Sequence, residues 1–395
     1  MAIDTNLSIT SIAGLTNNPN QTITGTGVAG ATVKVLDGTT LLGTTVVGSD
    51  GSWSEVVVLS GQGAHALSAV SEAAATDPTV TTLVMFDGSN GHGMSLIADT
   101  AGKIYGTTTG SVFEISGSNH QTFSTLATFN NHSSYDGRIF GDLALDASGD
   151  LYGTIKGGGR FGSVFELSGD NHEIQNTVFY FNGNNGSAPL AGVFADQSGN
   201  IFGTTADGGI NSDGVDPNSG FGTIFQVSES SFNSLVKFNN GINGSVNNGA
   251  QPFNLVFDTD GTIYGTTAFG GQYGNGTLFE LTGTNYETLT TLFNFNGDNG
   301  SFPAGSLVLD PSGNIYGTTA NGGRAGYGTA FKLSGPNHDI LTTLVDFDST
   351  IGQRPFGLVS DSAGNLYGAT TYLGGTNGAG IVFELSGSNH QTLTT

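Results

Sequence analysis

Along this chain apolar and polar residues alternate in short runs, broken every few positions by Gly, Asn, Asp or Ser. A period of two marks strands with one face buried, and no stretch carries the longer period of an amphipathic helix. From residue 79 onward the runs recur in a fixed order. An apolar run ends in Phe plus Asn or Asp: LVMFDG, LATFNN, VFYFNG, LVKFNN, LFNFNG and LVDFDS. A second run leads to a turn aspartate, as in SLIAD, DLALD and NLVFD, and a strand of the type Tyr-Gly-Thr-Thr follows. A fourth run, SVFEI in the first copy and IVFEL in the last, closes the unit. The aromatics that open the Tyr-Gly-Thr-Thr strand are Tyr105, Tyr152, Phe202, Tyr264, Tyr316 and Tyr367, spaced 47, 50, 62, 52 and 51 residues apart.

Four short strands per copy, none able to bury its faces alone, predict the blades of a β-propeller. The expected fold is all-β: a six-bladed β-propeller over residues 79–395, with four-stranded blades. Each copy carries D-x-x-G before the aromatic, a turn in which Asp accepts backbone N–H groups and Gly takes a positive φ. The Gly after the aromatic predicts close approach by a ring or a neighbouring backbone. A Ser-Gly-x-Asn-His turn follows the fourth run at 116–120, 334–338 and 386–390, with variants at 168–172 and 282–286. The closing SGSNHQTLTT repeats SGSNHQTFST at 116–125, so the last residues are expected to pair with the first blade and shut the ring; the competing reading is a seventh copy cut off at residue 395.

Residues 1–78 lie outside the repeat. Their strand-like segments, joined by Asn-, Gly- and Asp-rich turns, predict a small two-sheet sandwich with Trp53 aimed into its core. The run 25–30 has the glycines of a dinucleotide fingerprint but no following helix, which excludes that reading. The pattern G-x-G-x-x-G-A-x-V-x-V followed by D-G-S-W resembles bacterial Ig-like modules of cell-surface and type I-secreted adhesins. That resemblance implies a spacer.

Composition narrows the chemistry. The 9 Lys+Arg stand against 32 Asp+Glu, a formal net charge of −23, which disfavours nucleic acid and anionic lipid as partners. With 0 cysteines there are no disulfides, thiolate nucleophiles or zinc–thiolate sites. No apolar run reaches the length of a membrane span, and MAIDTNLSIT shows neither a basic n-region nor an apolar h-region.

The segments D-x-x-G-x-[ILF]-[YF]-G-T-T and Gly-Gly…Gly-x-x-Phe-Glu-Leu, taken together, resemble the bacterial GloVer tandem-repeat family across residues 79–395. The resemblance implies an extracellular or envelope-associated protein and brings no catalytic residues with it. The first copy departs by lacking the Gly-Gly loop, and the third by an insertion around 210–220. The Asp turn also resembles, more weakly, that of streptogramin-lyase-like and NHL-like propellers.

Repetition separates architecture from chemistry. Asp99, Asp146, Asp196, Asp258, Asp310 and Asp361 recur in every copy and are read as turn residues. His120, His172, His338 and His390 recur in the Ser-Gly-x-Asn-His turn and are expected to hydrogen-bond between blades. The non-repeated His92 and His132 are candidates for a general base or a metal ligand. Asp213, Asp216 and Asn218 in the third-copy insertion offer oxygen ligands for Ca²⁺. Arg160 and Arg324, assigned to one Gly-Gly-loop slot, form with Tyr273 and Tyr327 a candidate site for an acidic or carbohydrate ligand. The functional expectation is a monomeric, secreted or surface-attached protein whose propeller loop face binds a glycan or protein. The alternatives are an extracellular polysaccharide lyase or hydrolase, and a purely structural segment of a larger surface protein.

Overall fold

The computed structural model describes residues 8–12, 20–27, 29, 31–37, 40–58, 67–72, 93–117, 120, 122–129, 138–157, 160–209, 220–228, 231–239, 247–303, 305–374, 380–387, 389–390 and 392–395. The chain divides into two compact units, Met1–Thr82 and Leu83–Thr395.

The first unit holds β1 (Ser8–Ile12), β2 (Asn20–Thr26), β3 (Thr32–Asp37), β4 (Thr40–Val46), β5 (Ser52–Val58) and β6 (Leu67–Glu72). They form two three-stranded sheets, ordered β1-β2-β5 and β4-β3-β6. Alternation along β2 and β3 turns Ile23, Val33 and Val35 inward, where they meet Trp53 and Val57 in one buried cluster. The Trp53 indole N–H donates to the Thr26 carbonyl at 3.3 Å, so the ring is buried with its polar atom satisfied.

The second unit contains six four-stranded antiparallel sheets, each a meander in chain order. The first comprises β7 (Gly93–Ala98), β8 (Ile104–Thr108), β9 (Ser111–Ser116) and β10 (Thr122–Thr128). The second comprises β11 (Ala144–Leu145), β12 (Leu151–Ile155), β13 (Ser163–Ser168) and β14 (Ile174–Tyr180). The third comprises β15 (Val193–Ala195), β16 (Ile201–Thr205), β17 (Thr223–Ser228) and β18 (Ser231–Lys237). The fourth comprises β19 (Ala250–Phe257), β20 (Ile263–Phe269), β21 (Thr277–Thr282) and β22 (Thr288–Asn294). The fifth comprises β23 (Val308–Leu309), β24 (Ile315–Thr319), β25 (Thr329–Ser334) and β26 (Ile340–Asp346). The sixth comprises β27 (Gln353–Ser360), β28 (Leu366–Tyr372), β29 (Val382–Ser386) and β30 (Thr392–Thr394).

These sheets are cut one strand later than the sequence reading placed them. The runs ending in Phe129, Phe181, Phe238, Phe295 and Phe347 are fourth strands of their sheets, not first strands of the next, and LVMF at 83–86 lies outside the described residues. The tight Ser-Gly-x-Asn-His turn is the reason, because it closes a hairpin between third and fourth strands, with the His390 N–H on the Gly387 carbonyl at 3.1 Å. For the same reason the last residues pair within their own sheet, β30 on β29, and not with the first.

The repeat's glycine has a clear cause. In every sheet the third-strand Phe lies across the Gly of the second strand; a Cβ on Gly317 would stand 2.7 Å from the Phe331 ring, and one on Gly106 would be closer still to Phe113. In the first five sheets the opposite face carries the second-strand aromatic and apolar residues of the first and third strands, and it packs on the Phe-over-Gly face of the next sheet. One cluster joins Tyr316, Ala330 and Phe347 of the fifth sheet to Leu366, Phe383 and Leu385 of the sixth. Five such clusters join the six sheets in order. First strands also touch along the inner edge, where Ser95 Oγ donates to Asp142 Oδ1 at 2.6 Å and the Asn254 amide donates to Ser306 Oγ at 3.1 Å.

Candidate functional site

A meander puts its connections at two ends, and the repeat treats those ends differently. One end carries the Asp turns and the His turns. Each turn aspartate accepts two backbone N–H groups through one oxygen; Asp310 Oδ1 takes those of Ser312 and Asn314, both at 2.9 Å. Each turn histidine, at positive φ, donates from Nε2 to the carbonyl of the Asp-turn glycine in its own sheet, as His172 does to Gly149 at 2.9 Å. The expected hydrogen bond between blades is therefore internal to a sheet. What reaches the neighbour is the ring: His172 meets Tyr105 edge-on at 5.0 Å, and His338 meets Tyr264 at 5.4 Å.

The other end carries the Gly-Gly loops and the connections between sheets, and here the copies diverge. Of the eight Lys and Arg residues after residue 82, six stand at this loop end: Arg138, Lys156, Arg160, Lys237, Arg324 and Arg354. Several lie over rings, with Arg354 5.9 Å from the centre of Tyr372. The cations of this unit are thus concentrated at the loop end, where they stand among carboxylates such as Asp207, Asp298, Asp346 and Asp348.

Second- and third-sheet residues converge there most closely. Lys156 donates its backbone N–H to the Arg138 carbonyl at 2.8 Å, and its ammonium stands 5.5 Å from the Phe140 ring. The Arg160 guanidinium lies 5.1 Å from the Phe161 ring. The connection into the third sheet passes beside them: the Ala188 N–H donates to the Phe161 carbonyl at 2.9 Å, and Ser187 and Asp207 exchange backbone bonds at 2.8 and 3.1 Å. Burial pushes the Asp207 carboxyl above the ordinary carboxylate range, and the Lys156 ammonium opposes that shift. The Ser187 hydroxyl is buried and has no hydrogen-bond partner. Three cations, two rings and a carboxyl held above its ordinary range thus share one end of these two sheets, with the Ser187 hydroxyl buried beneath. Such a set can hold a ligand that carries both acid groups and sugar faces.

The sequence candidates fall differently. Arg160 sits at φ 81 with its N–H on the Gly157 carbonyl, the conformation and bond that Gly274 and Gly326 have in the fourth and fifth sheets. Arg324 lies two residues earlier in its loop, its N–H on Asp346 Oδ1 at 3.1 Å, as Gln272 lies on Asn294. The two arginines therefore occupy different slots, because a shorter loop in the second sheet brings Arg160 into the turn itself. Tyr273 is exposed, whereas Tyr327 packs in the cluster between the fifth and sixth sheets. Among the described contacts none joins Arg160, Arg324, Tyr273 and Tyr327 to one another. His92, His132, Asp213, Asp216 and Asn218 lie outside the described residues. Among the described residues no three His, Asp or Glu side chains are placed to share a metal ion.

Lys156 and Asp207 escaped the sequence reading, although the repeat does mark them. Lys156 takes the place of the buried Ala206, Ala268 and Ala320, and Asp207 the place of Phe269, Asn321 and Tyr372.

Residues 216–395 match the family model described as the Gloeobacter/Verrucomicrobia repeat. No curated protein matches the chain. Among solved structures, virginiamycin B lyase from Staphylococcus aureus is similar at 12% identity with a TM-score of 0.53, over 78% of this chain and 84% of that one. A streptogramin B lyase has 12% identity and a TM-score of 0.49 over 96% of this chain and 93% of that one. The aldose sugar dehydrogenase of Streptomyces coelicolor has 12% identity and a TM-score of 0.47 over 74% and 93%. At these identities the first likeness concerns fold alone: an all-β, propeller-like arrangement of four-stranded antiparallel sheets.

Proposed function

We propose that this is an extracellular or surface-attached binding protein, and that its propeller loop face takes an acidic glycan at the junction of the second and third sheets. The observation that supports this reading is the gathering of Arg138, Lys156 and Arg160 beside Phe140 and Phe161 on a chain of net charge −23. Guanidinium and ammonium groups pair with uronate or sulfate, and ring faces stack on the apolar side of a pyranose. The cluster breaks the symmetry of the repeat, as a site for one ligand must. The N-terminal two-sheet unit serves as an Ig-like spacer in this proposal, and the ligand-free state is monomeric. An array of neutral and acidic glycans tests the proposal: binding confined to acidic members supports it, and no binding, together with turnover of a polysaccharide, overturns it.

Asp207 favours a second reading as a polysaccharide lyase or hydrolase. A carboxyl held above its ordinary range beside a lysine is suited to hand a proton to a leaving oxygen. Loss of polymer cleavage in Asp207→Asn with binding retained would distinguish this reading from binding alone.

A further inference from the structure

The five packed junctions have a counterpart that is not formed. On the sixth sheet, Val382 is 71% exposed, whereas Val112, Val164, Ile224, Leu278 and Ala330 at the same position in the other sheets are fully buried. Val359 on the first strand is 64% exposed, although Ile97, Ala144, Phe194, Val256 and Val308 all pack against a following sheet. Tyr367 keeps its hydroxyl on Asp361 Oδ2 at 3.2 Å, as Tyr316 does on Asp310. Among the described contacts, however, no imidazole edge meets its ring. The first sheet keeps Phe113 and Ile115 buried, but its inner residue Leu96 is 67% exposed, where Leu143, Val193, Leu307 and Leu358 are buried.

Sheets related by equal steps close into a ring when the step is a full turn divided by their number. Were each step a sixth of a turn, five packed junctions would carry the sixth sheet onto the first, and Val359 and Val382 would be covered. They are not, so the step set by these junctions is smaller. The next whole number is seven, within the range of about four to eight sheets that propellers adopt. We infer that the exposed face of the sixth sheet is a docking surface for one further four-stranded sheet of this repeat, making a ring of seven. The occupant's chemistry follows from the interface already formed five times. It presents a Phe lying over a Gly to Val382, a leucine or valine to Val359, and a His turn to the Tyr367 ring.

Two measurements on the full chain test this. The first appends a second copy of residues 344–395 after Thr395, which completes β30 and supplies one more sheet. The extended chain is expected to melt at least about 5 °C higher and to lose the dye binding that exposed Val359 and Val382 confer. An unchanged melt and unchanged dye binding overturn the inference. The second uses the absence of cysteine: Leu96→Cys with Val359→Cys is oxidised in the unextended chain, with Val308→Cys and Leu358→Cys at a formed junction as the positive control. No cross-link within a chain is expected at the first pair. A cross-linked monomer means that six sheets close on themselves, and a cross-linked dimer means that a second copy is the occupant; either overturns the seven-sheet ring.

Discussion

His390 stands edge-on to Tyr316 with ring centres 4.9 Å apart, while its Nε2 donates to the Gly364 carbonyl at 2.8 Å. One side chain thus locks the Asp turn of its own sheet and plugs the neighbouring sheet. His390→Ala removes both contacts, and the loss is expected to be about 2 kcal/mol in urea unfolding. Among the described contacts His120 makes only the first, to the Gly102 carbonyl at 2.9 Å, so His120→Ala is expected to cost about half as much. Equal losses would show that the ring contact contributes nothing.

The Phe-over-Gly packing predicts a larger effect from a smaller change. Gly317→Ala would place a methyl group 2.7 Å from Phe331 Cζ and 2.8 Å from a Leu307 methyl, forcing a shift in a fully buried layer. The expected cost is about 3 kcal/mol. Adding Phe331→Leu, which vacates the ring tip, is expected to recover part of it. If the double variant is no more stable than the sum of the single losses predicts, the contact is not the cause.

Two of the turn aspartates, Asp310 and Asp361, predict an acid limit. Burial raises the Asp310 carboxyl, but hydrogen bonds from Asn314, Tyr316 and Ser312 outweigh it and hold the group below the ordinary range. For Asp361 the Asn365 amide leads the lowering. A carboxyl depressed on folding stabilises the fold above its unfolded pKa of about 3.9, and that contribution is lost as pH falls from there toward the folded value. Asp310→Asn is therefore expected to lower stability at neutral pH and to flatten its fall below about pH 4. An acid-unfolding curve that keeps the wild-type slope would contradict this.

Much of this fold was legible because the repeat states it six times. The Asp turn, the Gly under a ring and the alternation in Tyr-Gly-Thr-Thr are local, so each copy specifies them again. The grouping of strands into sheets was not legible, since LATF and its equivalents are equally apolar whether they begin a sheet or end one. Hydrogen bonding decided it, through the tight turn before β10 and its counterparts. The candidate site was only half visible. Arg160 stood out as a rare cation, but its Gly-like φ was hidden until loop lengths were compared in space. Lys156 and Asp207 lie 51 residues apart in sequence and come within electrostatic reach only because successive sheets pack face to face.

The most direct test of the proposed function is the affinity of the full chain for a uronate-rich polysaccharide, measured by calorimetry at low and moderate salt. Binding is expected to weaken as salt rises, to fall at least about tenfold in Lys156→Ala and in Arg160→Ala, and to be unchanged in Lys103→Ala at the opposite end of the sheets. No binding by the wild-type chain, or an equal loss in Lys103→Ala, would contradict it.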